Sequence, residues 1–166
     1  MFNRYLFLFA VLFAQGSFAA GLEDPKGYAK NSSLQWNWAI GALEKFHWEG
    51  NERVLDMGCG DGKITAWIAE NMTRGISVGL DLAPAMVLFA SETHRDCPNL
   101  LFLEGDIADL PFAGQFDLVT AFCSLHYVVE QEEALKSIRQ SLKPGGKLLF
   151  VGPGRDGTSL GPLSET

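Results

Sequence analysis

The sequence predicts a doubly wound α/β fold built on a mainly parallel sheet. Five short apolar runs lie between residues 53 and 151, and they lack the polar–apolar alternation of a sheet with one solvated face. Segments with helical periodicity alternate with these runs, which is typical of a sheet covered by helices on both faces. The chain has 166 residues, of which 47% are hydrophobic and 20% charged, so one domain with an ordinary core is expected.

The five apolar runs give the expected strands in chain order. They are Arg53–Met57, Ile76–Leu80, Leu100–Leu103, Phe116–Phe122 and Lys147–Val151. Helices are expected near 63–71, from Pro84 onward and near 130–142, and proline suits the first helical turn. The pair Gly145–Gly146 predicts the turn into the last strand.

One further helix is expected before the first strand, near 33–47. Its predicted buried stripe consists of apolar residues that recur every four positions and of two neighbours that broaden it. These residues are Leu34, Trp38, Ala42 and Phe46, with Ala39 and Leu43. Ser32 or Ser33 would cap the beginning of this helix.

The amino-terminal segment 1–19 has the three parts of a secretory signal. Arg4 supplies a positive charge, 5–14 is an unbroken apolar run, and Ser17 and Ala19 precede a cleavage point before Ala20. This run is too short to span a bilayer core of about 30 Å, so no stable transmembrane anchor is expected. The alternatives are a buried amino-terminal helix or a start codon placed too early.

The expected organisation is a signal-like segment at 1–19, a helical cap at 20–52, an α/β domain at 53–151 and an irregular tail at 152–166. Lys and Arg number 13 against 20 Asp and Glu, with no basic run, so a nucleic acid partner is not expected. Cys59, Cys97 and Cys123 lack a metal-ligand spacing, so they are interpreted as reduced thiols and no metal site is expected. Reduced thiols are typical of a reducing compartment, whereas a secretory signal would export the chain, so the two observations indicate different compartments.

Three aspartates lie at the ends of the first three predicted strands. They are Asp56, Asp81 and Asp106, each 25 residues after the last. Because ligands of open α/β sheets bind at the carboxyl ends of the strands, these side chains are expected to line one cleft. The alternative is that they cap helices.

A glycine loop follows the first strand and contains Gly58, Gly60 and Gly62. Its spacing departs from the dinucleotide pattern GxGxxG and from the phosphate-loop ending GK[ST]. Asp56 would repel a phosphate at this loop and attract an ammonium group. Asp81, at the second strand end, can accept hydrogen bonds from both hydroxyls of a ribose. Together these features predict a nucleoside that carries an amino acid group.

Several stretches resemble the class I S-adenosylmethionine-dependent methyltransferase family. They are Val54–Thr65, Val78–Met86, Glu104–Phe112, Phe116–Tyr127 and Leu142–Phe150. Within the family the chain looks most like the small-molecule methyltransferases of the trans-aconitate type, because of the loop sequence GDGKIT and the segment Leu125–His126–Tyr127. The resemblance implies a Rossmann-like methyltransferase sheet, S-adenosylmethionine as cofactor, and methyl transfer to a small-molecule acceptor by in-line displacement.

The resemblance also implies roles for individual residues in binding the cofactor. The methionine end would be held by Asp56 and the loop Gly58, Cys59, Gly60 and Gly62, and approached by Phe122 and Cys123. The ribose would be held by Asp81, and the adenine by Leu82, Met86, Asp106 and the backbone of Ile107.

The acceptor is left open between two chemical classes. A carboxylate is already ionised at neutral pH and needs no base, whereas a phenol or carbon acid needs one. His126 lies just past the fourth strand, where a base could reach the acceptor, although it could instead be a packing residue. Tyr127 is a further candidate for acceptor binding. In the resembled family a lid often precedes the first strand, and Trp36 is the expected acceptor contact there, whereas Trp38 falls on the predicted buried stripe.

Two alternatives accompany this interpretation. A nicotinamide-dependent oxidoreductase is disfavoured by the glycine spacing. A truncated or non-catalytic cofactor-binding module is the other, since the family's sheet normally has seven strands and only five are predicted here. The last two strands are therefore expected to be lacking, with little turnover by the 166 residues alone.

Overall fold

The computed structural model of the protein describes residues 24–152. The signal-like segment at 1–19 and the tail beyond residue 152 lie outside these residues. The helices are α1 (Pro25–Asn31), α2 (Ser33–Leu43), α3 (Lys63–Glu70), α4 (Pro84–Thr93) and α5 (Gln131–Ser141). The strands are β1 (Arg53–Met57), β2 (Ile76–Asp81), β3 (Leu100–Glu104), β4 (Phe116–Phe122) and β5 (Leu142–Val151), with a short 3₁₀ helix at Leu125–Tyr127.

The strands form one parallel sheet in the order β3-β2-β1-β4-β5. The chain moves outward from β1 to β3 and then returns to the other side of β1 with β4. Parallel sheets with this reversal have a crevice at the carboxyl ends of the two strands that flank it. Met57, the last residue of β1, pairs with Leu80 of β2 and with Ala121 of β4. The predicted doubly wound fold is confirmed.

Two apolar clusters cover the two faces of the sheet. On one face, Leu43 of α2 and Ile68 of α3 pack with Val54 and Leu118. On the other face, Ile138 of α5 packs with Leu55, and Leu80 and Val119 belong to the same cluster. Alternate residues of β1 therefore enter opposite clusters, as the two-residue period of a strand requires.

The predicted strands are confirmed, and only the last differs appreciably in its bounds. β5 starts at Leu142, which pairs with Phe116, but the register then shifts so that Leu118 pairs with Lys147. Residues 143–146 form this irregularity, and Gly145 has a φ of 78° there. The glycine turn predicted at this point thus lies inside the span of the strand.

The helical cap has one helix more than predicted. α2 is the helix expected near 33–47, although it ends at Leu43, and α1 precedes it. Asp24 caps α1 by accepting a hydrogen bond from the Gly27 backbone N–H at 3.0 Å, and Pro25 occupies its first turn. Ser32 separates the two helices without capping α2, because its hydroxyl donates to the Asp61 carboxylate instead.

The buried face of α2 is centred on Ala39 and Leu43, which are both fully buried. Leu34, the first residue of the predicted stripe, is 54% exposed. The rest of the predicted stripe is confirmed, because Trp38, Ala42 and Phe46 pack against the same core cluster as Ala39 and Leu43. No helix within residues 24–152 is long and apolar enough to cross a membrane.

Candidate functional site

A cavity of about 680 Å³ opens at the carboxyl ends of β1, β2 and β4, where the strand order reverses. This volume lies within the usual range for small-molecule sites. Eleven of the residues predicted from the sequence line it: Gly58, Gly60, Asp81, Leu82, Met86, Asp106, Ile107, Phe122, Cys123, His126 and Tyr127. Four other predicted residues, Asp56, Cys59, Gly62 and Trp36, do not line it.

The glycine loop brings backbone rather than side chains to the cavity. Gly58 and Gly60 have φ values of 68° and 55°, which side-chain-bearing residues rarely adopt. A Cβ on Gly58 would lie 2.3 Å from Cβ of Ser124, and one on Gly60 would lie 2.9 Å from the Tyr28 ring. The absence of side chains at these two positions therefore keeps the loop compact and open to a ligand.

Asp81 ends β2 and is the buried carboxylate of the cavity wall. Its Oδ2 accepts from the Gly60 backbone N–H at 2.9 Å, and its Oδ1 accepts from the Ala83 backbone N–H at 3.0 Å. Burial raises the pKa of Asp81, and the backbone N–H groups of Ala83, Gly60 and Leu82 partly oppose the shift. A carboxylate offers about four lone-pair positions, so capacity remains for a hydroxyl donor from a ligand.

Asp56 lies below the cavity instead of in its wall. The Thr65 and Thr120 hydroxyls donate to its two oxygens, each at 2.7 Å, and only 2% of the residue is exposed. The reason is register: Asp56 pairs with Gly79, two residues before Asp81, and is therefore about 7 Å deeper in the sheet. Burial raises the pKa of Asp56 to about 6, and the threonine hydroxyls partly oppose this.

Cys59 and Gly62 support the loop from behind. Cys59 packs in a buried cluster with Ala90 and Phe102, and burial raises the pKa of its thiol. Gly62 precedes α3 in the left-handed conformation, and a Cβ there would lie 2.6 Å from the Phe102 ring. The structure thus places both residues in the packing between the loop and α4.

The adenine side predicted from the resemblance is exposed and largely apolar. Leu82 is 61% exposed beside Asp81, whereas Met86 is buried in α4. Asp106 lies in the loop after β3, where its Oδ1 accepts from the Ala108 backbone N–H at 2.8 Å. Ile107 packs its side chain against the second core cluster, which leaves its backbone at the cavity.

The wall opposite the loop starts at the end of β4. Cys123 has a φ of 56° and donates its backbone N–H to the Val151 carbonyl at 2.7 Å. This left-handed residue turns the chain into the 3₁₀ helix, and the Ser124 hydroxyl fixes the turn by donating to the Met57 carbonyl at 2.7 Å. Burial raises the pKa of the Cys123 thiol, so it is held in its neutral form.

His126 and Tyr127 follow this turn with their ring centroids 4.0 Å apart. Burial lowers the pKa of His126, so its imidazole is neutral at physiological pH and can accept a proton. Its Nδ1 is buried and has no hydrogen-bond partner among the described residues.

The helical cap closes the cavity with residues that the sequence analysis did not assign to it. Tyr28, Asn31, Leu34 and Gln35 line the cavity, and so does Trp38. Trp36 packs against the first core cluster and does not line the cavity. Trp38 packs against the same cluster, as predicted, and also lines the cavity. The Asp24–Pro25 pair was the signal for a first helix that carries Tyr28.

A buried polar link holds the cap to the glycine loop. Ser32 donates to Oδ2 of Asp61 at 3.1 Å, and the same oxygen lies 3.5 Å from Nζ of Lys63. Nζ of Lys63 also donates to the Ser32 hydroxyl. His94 contacts the Asp61 carbonyl at 3.2 Å, so the link extends to the end of α4.

These features fit a nucleoside with an amino acid group. The backbone at Gly58 and Gly60 is bare, the Asp81 carboxylate retains hydrogen-bonding capacity, and Leu82 presents an apolar surface beside it. Two acidic residues in this part of the lining, Asp81 and Asp106, suit a cationic ligand.

Comparison with known proteins identifies the family. A family model described as a methyltransferase domain matches residues 55–150. The juvenile hormone acid O-methyltransferase of Bombyx mori is 37% identical over 138 residues, covering 75% of this chain and 49% of that protein. The trans-aconitate 2-methyltransferase of Deinococcus radiodurans is 35% identical over 101 residues, covering 61% of this chain and 38% of that protein.

A solved structure gives the same result. A methyltransferase of Haloferax volcanii, in complex with the Trm112 methyltransferase activator, superposes with a TM-score of 0.73 and 31% identity. The match covers 82% of this chain and 60% of that chain. The chain spans about half the length of these curated relatives. It belongs to the methyltransferase domain family, whose cofactor is S-adenosylmethionine.

Proposed function

We propose that this chain forms the S-adenosylmethionine-binding domain of a methyltransferase that acts on a small-molecule acceptor. The observation that carries the proposal is the cavity at the strand reversal. There the bare backbone at Gly58 and Gly60 faces an Asp81 carboxylate that has hydrogen-bonding capacity to spare. The bare backbone, the carboxylate and the apolar wall come from three separate segments of the chain, so a single sequence motif does not explain why they lie together.

In this proposal the cavity residues divide the cofactor among them. Asp81 would accept the ribose hydroxyls, and Asp106 would accept from the adenine amino group beside the Ile107 backbone. Leu82 and Met86 would pack against the adenine ring. Gly58, Gly60, Phe122 and Cys123 would surround the methionine end. Asp56, Cys59 and Gly62 would hold the loop in place from below.

When bound, S-adenosylmethionine supplies a methyl group on a positively charged sulfur. The residues of the chain then have the task of aligning an acceptor and excluding water, which alone can lower a barrier substantially. The apolar rings and side chains of the cap, among them Tyr28, Leu34 and Trp38, cover the cavity from the side opposite the sheet. His126, neutral because burial lowers its pKa, could take the proton of a hydroxyl acceptor.

The acceptor group is the open part of this proposal. A carboxylate is supported by the names of two relatives, which act on juvenile hormone acid and on trans-aconitate. A phenol is supported by the position of His126 in the cavity lining. Trp38 and Tyr127 are the aromatic residues that we assign to acceptor binding, with Trp36 removed from that role.

Calorimetric titration with S-adenosylmethionine tests the cofactor part. We expect the 166-residue chain to bind it and Asp81→Asn to bind about 100-fold more weakly, because two hydrogen bonds to a charged acceptor are weakened. Asp109→Asn is the matched control, since Asp109 is an exposed aspartate outside the cavity lining. Equal affinities for the parent chain and Asp81→Asn would contradict the assignment.

A cofactor-binding module with little turnover is the second candidate. The chain spans about half the length of its relatives, and the acceptor side of a complete relative need not be contained in it. Transfer of a labelled methyl group to a panel of small acids and phenols separates the candidates. Binding with transfer supports the enzyme, and binding without transfer supports the module.

A further inference from the structure

The acidic residues of the cavity lining are not balanced by basic ones in the described part of the chain. Among the described residues that line it, Asp81, Asp106 and Glu130 are acidic and none is Lys or Arg. Without the positively charged sulfur of bound S-adenosylmethionine, an anionic group in this cavity would lose its water and meet carboxylates with no compensating cationic side chain, which is unfavourable on both counts.

Lys63 follows the glycine loop and does not supply that cation. Its Nζ donates to Ser32 and lies 3.5 Å from the Asp61 carboxylate, so its charge is already compensated. The same Nζ lies 6.0 Å from the ring centroid of Trp36, on the core side of α2 rather than at the cavity.

The acceptor side of the cavity presents apolar surface to solvent. Leu34 is 54% exposed, Tyr127 is 38% exposed and Val129 is 82% exposed, and all three line the cavity together with Trp38. Four of the seven large apolar residues that are exposed in residues 24–152 belong to this lining. Exposed apolar surface gathered in a concave site favours an apolar ligand.

Two buried polar atoms of this lining have no hydrogen-bond partner within the described part of the chain. They are Oε1 of Gln35, which is an acceptor, and Nδ1 of His126, which accepts in the tautomer that carries the proton on Nε2. A buried acceptor without a donor is costly, and a ligand that brings a donor relieves that cost. A neutral hydroxyl can donate a hydrogen bond, whereas an ionised carboxylate cannot.

We infer that the acceptor is an apolar molecule whose methyl-accepting group is an uncharged hydroxyl of the phenol class, and that the cavity discriminates against carboxylates. The inference rests on the proposed function and decides between its two acceptor classes. The apolar wall binds the body of the molecule, the unpaired acceptors at Gln35 and His126 receive its hydroxyl, and the acidic lining repels anions.

A matched pair of probes tests this inference. β-Naphthol and β-naphthoate share one ring system and differ in the group under test. Each is titrated calorimetrically into the 166-residue chain at pH 7.5, with and without saturating S-adenosylhomocysteine. We expect β-naphthol to bind at least about tenfold more tightly, as the charge term predicts. Equal affinities, tighter binding of the naphthoate, or no binding of either probe would overturn the inference.

Two variants identify the cause of the selectivity. Val129→Lys adds a cation at the exposed rim and should raise the ratio of naphthoate to naphthol affinity about fivefold. Leu135→Lys is its control, because Leu135 is exposed on α5 outside the lining. Gln35→Met removes the unpaired carbonyl and should lower only the naphthol affinity. An unchanged selectivity in both Val129→Lys and Gln35→Met would overturn the assigned cause.

The two proposals fail in different ways. A chain that prefers naphthol but does not bind S-adenosylhomocysteine contradicts the proposed function and leaves the acceptor class in place. A chain that binds S-adenosylhomocysteine and prefers naphthoate contradicts the acceptor class alone.

Discussion

Asp56 and Asp81 end neighbouring strands of one sheet, yet their carboxylates meet different surroundings. Asp56 accepts from two threonine hydroxyls and is sealed under the glycine loop. Asp81 accepts from two backbone N–H groups and lines the cavity. A carboxylate whose oxygens are engaged by the core supports the structure, whereas one that keeps free lone pairs at a cavity can bind a ligand.

The sheet register explains the difference and extends it to a third aspartate. Asp56 pairs with Gly79, two residues before Asp81, and Asp81 pairs with Glu104, two residues before Asp106. Each step of two residues raises the side chain about 7 Å toward the edge of the sheet. Exposure follows these steps, since Asp56 is the most buried of the three and Asp106 is exposed.

The largest expected effect concerns the charge on Asp56. Its pKa in the folded protein, about 6, lies above the value of 3.8 expected when unfolded, so the folded state binds the proton more tightly. This contribution to stability is complete below about pH 4 and is lost as pH rises through 6. It amounts to about 3 kcal/mol. We expect Asp56→Asn to remove this loss in urea unfolding measured from pH 4 to pH 7.

Asp117 is a control, because its pKa is shifted in the opposite direction to that of Asp56. Desolvation is the largest single influence and raises the pKa of Asp117, but the hydrogen bonds and charges of Lys143, 2.8 Å away, and Arg53 together hold it below the ordinary value. Its contribution to stability is therefore lost as pH falls, and Asp117→Asn should flatten the acid side of the profile. If Asp56→Asn left the pH profile of the parent chain intact, the burial of a charged Asp56 would be refuted.

Most of the fold could be predicted because strand and helix patterns are local. Four strands were placed to within a residue, since continuous apolar runs such as 116–122 admit few alternatives. The start of β5 was misplaced because the glycine pair 145–146 predicted that the strand began after it. The strand begins before it, at Leu142, and continues past an irregularity in the pairing.

The sequence predicted which residues belong to the site, but not how deep each one lies in the sheet. Equal spacing of 25 residues suggested that Asp56 and Asp81 were level, but spacing along the chain does not reveal register between strands. The contact of Trp38 with the cavity was equally hidden, because both tryptophans pack against the first core cluster but, of the two, Trp38 also lines the cavity. Which part of an apolar helix face borders a cavity is decided by tertiary packing.

The next prediction removes one of the hydroxyl donors to Asp56. Thr65→Val keeps the shape of the fully buried side chain but leaves Oδ2 of Asp56 without its 2.7 Å hydrogen bond. We expect a loss of about 2 kcal/mol at pH 7.5, since a hydrogen bond to a charged group is removed. The loss should be smaller at pH 4.5, because the hydroxyl stabilises the ionised form.

Thr93→Val, at an exposed helix end, is the control and should change stability by less than about 0.5 kcal/mol. A penalty independent of pH would mean that packing, not charge, is the cause.

The smallest expected effect tests whether Asp61 is a structural carboxylate like Asp56. Ser32→Ala removes the hydroxyl that donates to Asp61 but leaves Lys63 paired with that carboxylate at 3.5 Å. Since an ion pair still compensates the charge, we expect unfolding to be easier by only about 1 kcal/mol. Ser33→Ala, at the exposed neighbouring position, is the matched control and should be nearly neutral. Urea unfolding of the two variants measures the difference. Equal stabilities would show that the helical cap is held by its apolar contacts alone, and Asp61 would then need another explanation for its burial.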